Sequence, residues 1–239
     1  MTKKENSSPF STKHFVWVHV PKTGGTWLYR VLVDTAPASW EAVFAPPLHV
    51  CFRDLSDRLA DAGVPERFSL PILAGVRNPW DWYVSLYFFM EQHYHKRMGG
   101  FRPPPAEWSP GCRAWKEFYT RGNHVDGFRE ALPVLLSKMH DEGNEAVVPP
   151  QSVFLRTPAG QLGVTPVRFE GLRENIIEAI EATGAQVPDQ MRRLLTGRQS
   201  LNASTHGPYQ DYYNPELRKM VAQREAWLIE TLGYTFEQP

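Results

Sequence analysis

An α/β fold, in a P-loop-like three-layer α/β/α arrangement around a central, mostly parallel sheet, is predicted by three observations. Residues 15–32 and residues 72–89 each pass from a strand-type run, through a short polar loop, into a helix-type run, and strand-type and helix-type segments alternate along the rest of the chain. The 239 residues suffice for one well-buried α/β domain, and no repeat or long linker marks a second. The reading is a single domain over residues 14–239 behind a flexible N-terminal tail of residues 1–13.

The first strand is expected near residues 14–20, where Val16, Val18 and Val20 alternate and are β-branched. Leu28, Val31 and Leu32 then recur at helical spacing, so the period changes from 2 to 3.6 across Lys22–Thr26 and a helix follows over 25–35. A loop at that junction aims its backbone N–H groups and the positive end of the helix dipole at one spot. Gly24 and Gly25 carry no Cβ to block close approach, Lys22 adds a point charge, and Thr23 and Thr26 add hydroxyl donors. The natural occupant is an anion.

The second strand-to-helix unit has its apolar run at Leu73–Val76, within a strand near 70–76. Asn78 suits the N-cap, Pro79 the first helical position, and Asp81 the first turn, so a helix is expected over 80–97. Arg77 falls at the carboxyl end of the strand, where open α/β sheets bind ligands. Read alone, Arg77 is equally a helix-start partner for Asp81, and Ser85 an ordinary helix residue.

Between and beyond these units, strands are expected near 40–45, 151–156 and 164–169. Helices are expected near 53–62, 113–120, 124–140, 172–183, 189–197 and 214–231. The prolines of Gly99–Gly111 exclude a helix or central strand there and leave a loop that carries Phe101 and Trp108.

The order of residues in the first loop bears on which anion. An NTPase loop places its lysine after the glycines with a hydroxyl next to it for magnesium, whereas Lys22 precedes Gly24 and Gly25. With the flanking His-Val-Pro, His19–Trp27 resembles the 5′-phosphosulfate loop of sulfotransferases that use 3′-phosphoadenosine 5′-phosphosulfate (PAPS). The closest likeness is to the branch containing the heparan sulfate 2-O- and 6-O-sulfotransferases and bacterial carbohydrate sulfotransferases. Arg77-Asn78-Pro79 followed by Ser85 resembles the same family's 3′-phosphate motif, in the family's order and about fifty residues downstream. Val167–Leu172, Leu201–Ser204, Tyr212–Leu217 and Leu232–Tyr234 extend the resemblance to residue 236.

The resemblance implies a sulfotransferase-type fold and sulfuryl transfer from PAPS, with PAP as product, to a hydroxyl of a carbohydrate or small molecule. It implies no metal. Lys22, Thr23, Gly24, Gly25, Thr26 and Trp27 are expected to hold the 5′-phosphate side of the nucleotide, and Arg77 and Ser85 the 3′-phosphate. Lys22 is also expected to offset charge on the bridging oxygen as the S–O bond breaks. His49 looks like the counterpart of the family's base; Glu41 is the carboxylate alternative. His19 is expected to orient backbone, and His206 to lie near the donor phosphates. The rival readings are a kinase-like nucleotide-binding enzyme, which would need magnesium and a Walker lysine, and a PAP-binding protein without catalysis.

Bulk properties narrow the partners. Lysine plus arginine and aspartate plus glutamate number 26 each, so no global field attracts a nucleic acid or a heavily sulfated glycan. The balance favours a neutral acceptor such as a sugar, a phenol or a small natural product, although Lys96, Arg97, Arg102, Arg113, Lys116 and Arg121 gather around the proline-rich loop. Residues 99–123 are expected to form part of an acceptor lid. Most aromatics between Trp80 and Tyr94 are expected in the core, with a surplus for stacking on an acceptor. Cys51 and Cys112 provide neither a disulfide framework nor metal spacing. The polar N-terminus and the lack of any run of ~20 apolar residues point to a cytoplasmic protein without a membrane anchor.

Overall fold

A computed structural model describes residues 9–43, 50–98, 124–138, 149–197 and 206–237. By packing, the chain forms two compact units that interleave in sequence: residues 1–77 with 152–202, and residues 78–151 with 203–239.

The first unit holds the sheet. Its strands are β1 (Phe10–Ser11), β2 (Val16–Val18), β3 (Ile72–Val76) and β4 (Thr165–Arg168), in the order β1-β2-β3-β4. β2 and β3 pair in parallel with Val16 opposite Ile72, β3 and β4 in parallel with Val76 opposite Arg168, and β1 runs antiparallel to β2 with Phe10 opposite Trp17. The predicted α/β class with a mostly parallel sheet is therefore what the chain adopts. β3 is buried at every position, as a strand covered on both faces must be. Trp17, Leu73 and Val167 point to one face, where they meet Leu28, Val31 and Leu32 of helix α1 (Gly25–Thr35), Ile176 and Ile180 of a helix over Leu172–Ala182, and Met191 and Leu195 of a helix over Asp189–Gly197.

Over residues 40–43, the described part of the strand expected near 40–45, no extended run forms. Ala38–Trp40 make a 3₁₀ turn, Glu41 adopts φ 51°, and Val43 contributes only an isolated bridge to Ser11. A left-handed residue so close behind a 3₁₀ turn prevents an extended run from starting earlier. α2 (Leu55–Asp61) follows a 3₁₀ turn at Phe52–Asp54, within the expected span. Phe10–Ser11, assigned to the tail by the sequence, instead belong to the sheet, and Phe10, Ser11 and Thr12 are all buried.

The second unit is helical. α3 (Pro79–Met98) and α4 (His124–Lys138) pack with α8 (Pro215–Arg224) and the 3₁₀ turn Tyr209–Tyr212 around Trp82, Tyr83, Tyr87, Phe128 and Tyr213. Asn78 caps α3 as anticipated: its Oδ1 accepts from Trp80 N–H at 3.1 Å, and its Nδ2 donates to the Thr235 carbonyl at 2.9 Å and to Tyr209 Oη at 3.3 Å. Asn214 caps α8 by accepting from Leu217 N–H at 2.8 Å.

Two further expectations are corrected. Residues 151–156 were expected as a strand, but Gln151–Leu155 form helix α5, continued by an Arg156 N–H bond to the Ser152 carbonyl. A short apolar run has no decisive period, and the prolines at 149 and 150 suit a helix start. The helices α6 (Leu172–Ala182) and α7 (Asp189–Gly197) match expectation, whereas the single helix over 214–231 is broken at Glu225 into α8 and α9 (Ala226–Leu232). Glu225 leaves helical geometry at φ −105°, ψ 20°, and its buried carboxylate accepts from Tyr83 Oη at 3.0 Å. No helix of the described residues is long and apolar enough to cross a membrane. The expected helix over 113–120 and the lid over 99–123 lie outside the described residues.

Candidate active site

The anion loop joins β2 to α1 within the first unit. Lys22 takes a left-handed conformation (φ 61°) and Gly24 another (φ 79°, ψ 3°), which wraps the backbone around the helix start. The first helical bond runs from Leu28 N–H to the Gly24 carbonyl, so the amides of Gly25, Thr26 and Trp27 stand ahead of the ladder at the positive end of α1. No acidic side chain occupies that first turn.

The loop is held from behind. Thr23 is fully buried and donates from Oγ1 to the Val20 carbonyl at 2.9 Å. Its hydroxyl proton is thus committed to the loop, and its contribution to an anion is left to the backbone amide. Gly75 of β3 makes room for that hydroxyl: a Cβ there would lie 2.5 Å from Thr23 Oγ1. The ring of buried His19 packs against Gly25 so closely that a Cβ on Gly25 would lie 2.0 Å from its Cδ2.

Arg77, the first residue of the second sequence motif, reaches the loop of the first. Its Nη1 donates to the Lys22 carbonyl at 3.1 Å, and its guanidinium lies 4.2 Å from the centre of the Phe169 ring. The Phe169 ring also approaches the loop, at 3.6 Å from a Cβ placed on Gly24. Lys22 is lowered from its ordinary 10.5 to about 7, first by burial and then by the like charge of Arg77. Two cations held this close in a partly buried loop disfavour protonation, and an anion between them would restore it.

A pocket of about 180 Å³ opens beside the loop, lined by Trp27, Phe169 and residues 170–174. The Arg173 guanidinium stands 5.4 Å from the Trp27 ring centre and donates to the Leu195 and Thr196 carbonyls at 2.9 and 2.8 Å. Trp27 Nε1 is buried without a hydrogen-bond partner among the described residues. Phe169 and Arg173 were not singled out as site residues from the sequence. The available signals were their place at the end of a parallel strand and the start of its helix and, for Phe169, its position within the Val167–Leu172 segment of the resemblance.

Among the remaining candidates, Thr26 is half-buried in the first turn of α1. Ser85 lies on α3 in the second unit and is fully buried. His49 lies outside the described residues. Glu41 is at the surface, where its carboxylate accepts from Lys13 Nζ at 3.3 Å. His206 stacks on Phe88 of the second unit at 5.4 Å and 27°. Trp80, Trp82, Tyr83, Tyr87 and Phe88 are all core residues, so these five supply little free surface for stacking; Phe89 is half-buried. Among the described residues, no group of three or more His, Cys, Asp or Glu side chains is placed to hold a metal ion.

No family model matches this sequence, and no curated protein matches it. Among solved structures, mouse sulfotransferase SULT7A1 complexed with PAP is similar over 95% of this chain and 84% of its own, at 14% identity and a TM-score of 0.48.

Proposed function

We propose that this protein is a sulfotransferase that moves the sulfuryl group from PAPS to a hydroxyl of a carbohydrate or small-molecule acceptor. The observation that supports the reading is the hydrogen bond from Arg77 to the Lys22 carbonyl, which sets the arginine of the second phosphate-type motif beside the loop of the first. The α1 amides and Lys22 are assigned the 5′-phosphate side, and Arg77 the 3′-phosphate; Ser85 is assigned to the latter by the resemblance alone. The Trp27 and Phe169 rings on the adjacent pocket suit a stacked planar base.

Transfer of a sulfuryl group resembles phosphoryl transfer in needing position and charge compensation more than covalent chemistry. As the bond from sulfur to the bridging oxygen lengthens, negative charge collects on the departing phosphate. Lys22 becomes protonated when the nucleotide's charge is present and offsets that growing charge. The α1 amides are already oriented and cost no reorganisation during the reaction.

Calorimetric titration with PAP, with and without magnesium, tests the reading on wild type and Arg77→Ala. Micromolar binding that needs no metal and is lost in the variant is expected, followed by transfer of radiolabel from PAPS to hydroxyl acceptors. No binding of PAP, or binding of ATP only with magnesium, would refute the proposal in favour of a kinase-like enzyme.

A further inference from the structure

The loop assigned above to the nucleotide also presents a reactive amine. Lys22 keeps a left-handed backbone (φ 61°), which a residue other than glycine holds only where its surroundings restrain it. One restraint is Arg77, whose Nη1 donates to the Lys22 carbonyl at 3.1 Å. Arg77 is buried, and its guanidinium lies 4.2 Å from the centre of the Phe169 ring, so this cation cannot swing away from the lysine without losing both contacts.

An arginine does not shed its proton in a protein, whereas a lysine does when burial and a neighbouring cation oppose its charge. Both conditions hold at Lys22, which burial first and Arg77 second lower to about 7, so near pH 8 most of the amine is unprotonated and nucleophilic. The residue is half-buried and still open to a small uncharged molecule. The other ionisable groups on the elements around the loop are His19, against Gly25; Arg173, over the Trp27 ring; and the exposed Glu170 and Glu174, on the pocket beside Trp27. The first turn of α1 carries no acid.

We propose that Lys22 is a carbon dioxide site: its side-chain amine takes up CO2 as a carbamate, whose carboxylate sits against Arg77 in the anion loop and excludes a phosphate ligand. The competition with nucleotide rests on the sulfotransferase reading; the carbamate itself does not. In the step, the lone pair of Lys22 Nζ forms a bond to the carbon of CO2, one C–O π pair moves onto oxygen, and an N–H proton passes to water. Nothing is oxidised or reduced. The change from ammonium to carbamate turns the repulsion from Arg77 into attraction, because a guanidinium fork matches a carboxylate, and the positive end of α1 adds to it. The bond reverses as CO2 falls, so dissolved CO2 regulates how much of the protein is open to its donor.

The experiment equilibrates the full chain with carbon-13 bicarbonate at pH 8, fixes carbamates as ethyl esters with triethyloxonium, and reads every lysine by peptide mass. Occupancy at Lys22 is expected to exceed that at any other lysine by about tenfold or more, because an ordinary ammonium stays protonated at that pH. Arg77→Ala is expected to lower it by about threefold or more, since the variant loses both the charge that disfavours the ammonium and the partner of the carboxylate. In the wild type PAP should displace the label, and calorimetry should find PAP affinity falling as bicarbonate replaces chloride at constant ionic strength. Formate, a carboxylate that forms no carbamate, should weaken PAP binding less. Labelling of Lys22 no greater than that of other lysines, labelling undiminished in Arg77→Ala, or an equal loss of affinity with formate overturns the proposal; the first and last are read on the wild type and do not depend on a variant folding. PAP binding without carbamate at Lys22 would defeat this proposal alone. Carbamate at Lys22 in a protein that binds no PAP would defeat the sulfotransferase reading and the competition with nucleotide, and leave the carbon dioxide site standing.

Discussion

The Arg77 guanidinium donates from Nη1 to the backbone carbonyl of Lys22 at 3.1 Å, so residues 55 positions apart share one hydrogen bond. Arg77 spans the loop at its left-handed residue and rests on the Phe169 ring. A lysine in place of Arg77 supplies a charge but not a planar group able to stack on the ring while bonding the carbonyl edge-on.

The proton affinity of Lys22 follows from that contact and from burial. Burial, and then the charge of Arg77, lower Lys22 to about 7 from an ordinary 10.5. The unfolded chain thus holds more protons between those values, and the contribution of Lys22 makes stability rise with pH across that window, with the cost of the buried ammonium complete below pH 7. A bound phosphate favours the ammonium and raises its pKa. Titration of PAP at pH 8 in buffers of different ionisation enthalpy should therefore reveal proton uptake, with affinity falling as pH rises above 7. Lys22→Met should abolish the uptake; uptake that persists in this variant would show that another group carries it.

Gly25 and His19 form a tight pair in which the absent Cβ is the point of contact. Gly25→Ala should destabilise the protein by about 1–3 kcal/mol, since its methyl would overlap the imidazole. The same substitution in a His19→Ala background should cost less, with a coupling of about 1 kcal/mol in a urea-denaturation cycle. Additive costs would mean that the loop backbone, rather than the ring, resists the methyl.

Asn78 combines a cap with two long-range donors. Asn78→Ala should cost about 2–3 kcal/mol, because it removes both the bond to Trp80 N–H and the one to the Thr235 carbonyl. Asn78→Asp keeps the cap but loses both donors, so it tests the contacts to Thr235 and Tyr209 apart from the helix start. Equal stabilities of wild type and Asn78→Asp in thermal unfolding would show that only the cap matters.

The parts of this protein that were legible from sequence are those governed by local rules. The start of α1 at Gly25 follows from the change of hydrophobic period and from two glycines; the start of α3 follows from Asn78-Pro79; α6 and α7 follow from apolar positions three and four residues apart. The α5 segment was misread because five residues of mixed polarity between a proline pair and a turn suit a strand or a helix equally. The break at Glu225 was missed because a glutamate within a helical pattern reads as a helix former, whereas its carboxylate turns inward to the Tyr83 hydroxyl, 142 positions away. Thr23 was read as a hydroxyl donor to the anion, but the adjacent Val20 carbonyl takes that bond once the loop closes on itself.

By itself, the sequence determined that a glycine-rich loop enters a helix after a buried strand, and that an arginine ends a second strand, since spacing and side-chain type are properties of the chain. Only the tertiary structure decided that Arg77 reaches the Lys22 carbonyl, that His19 fills the space a Cβ on Gly25 would need, and that Glu91 meets His124. Each depends on close packing, which in two of the three cases joins groups tens of residues apart in sequence. At that range burial and a neighbouring charge outweigh intrinsic preference, and the ordinary lysine becomes one that titrates at about 7.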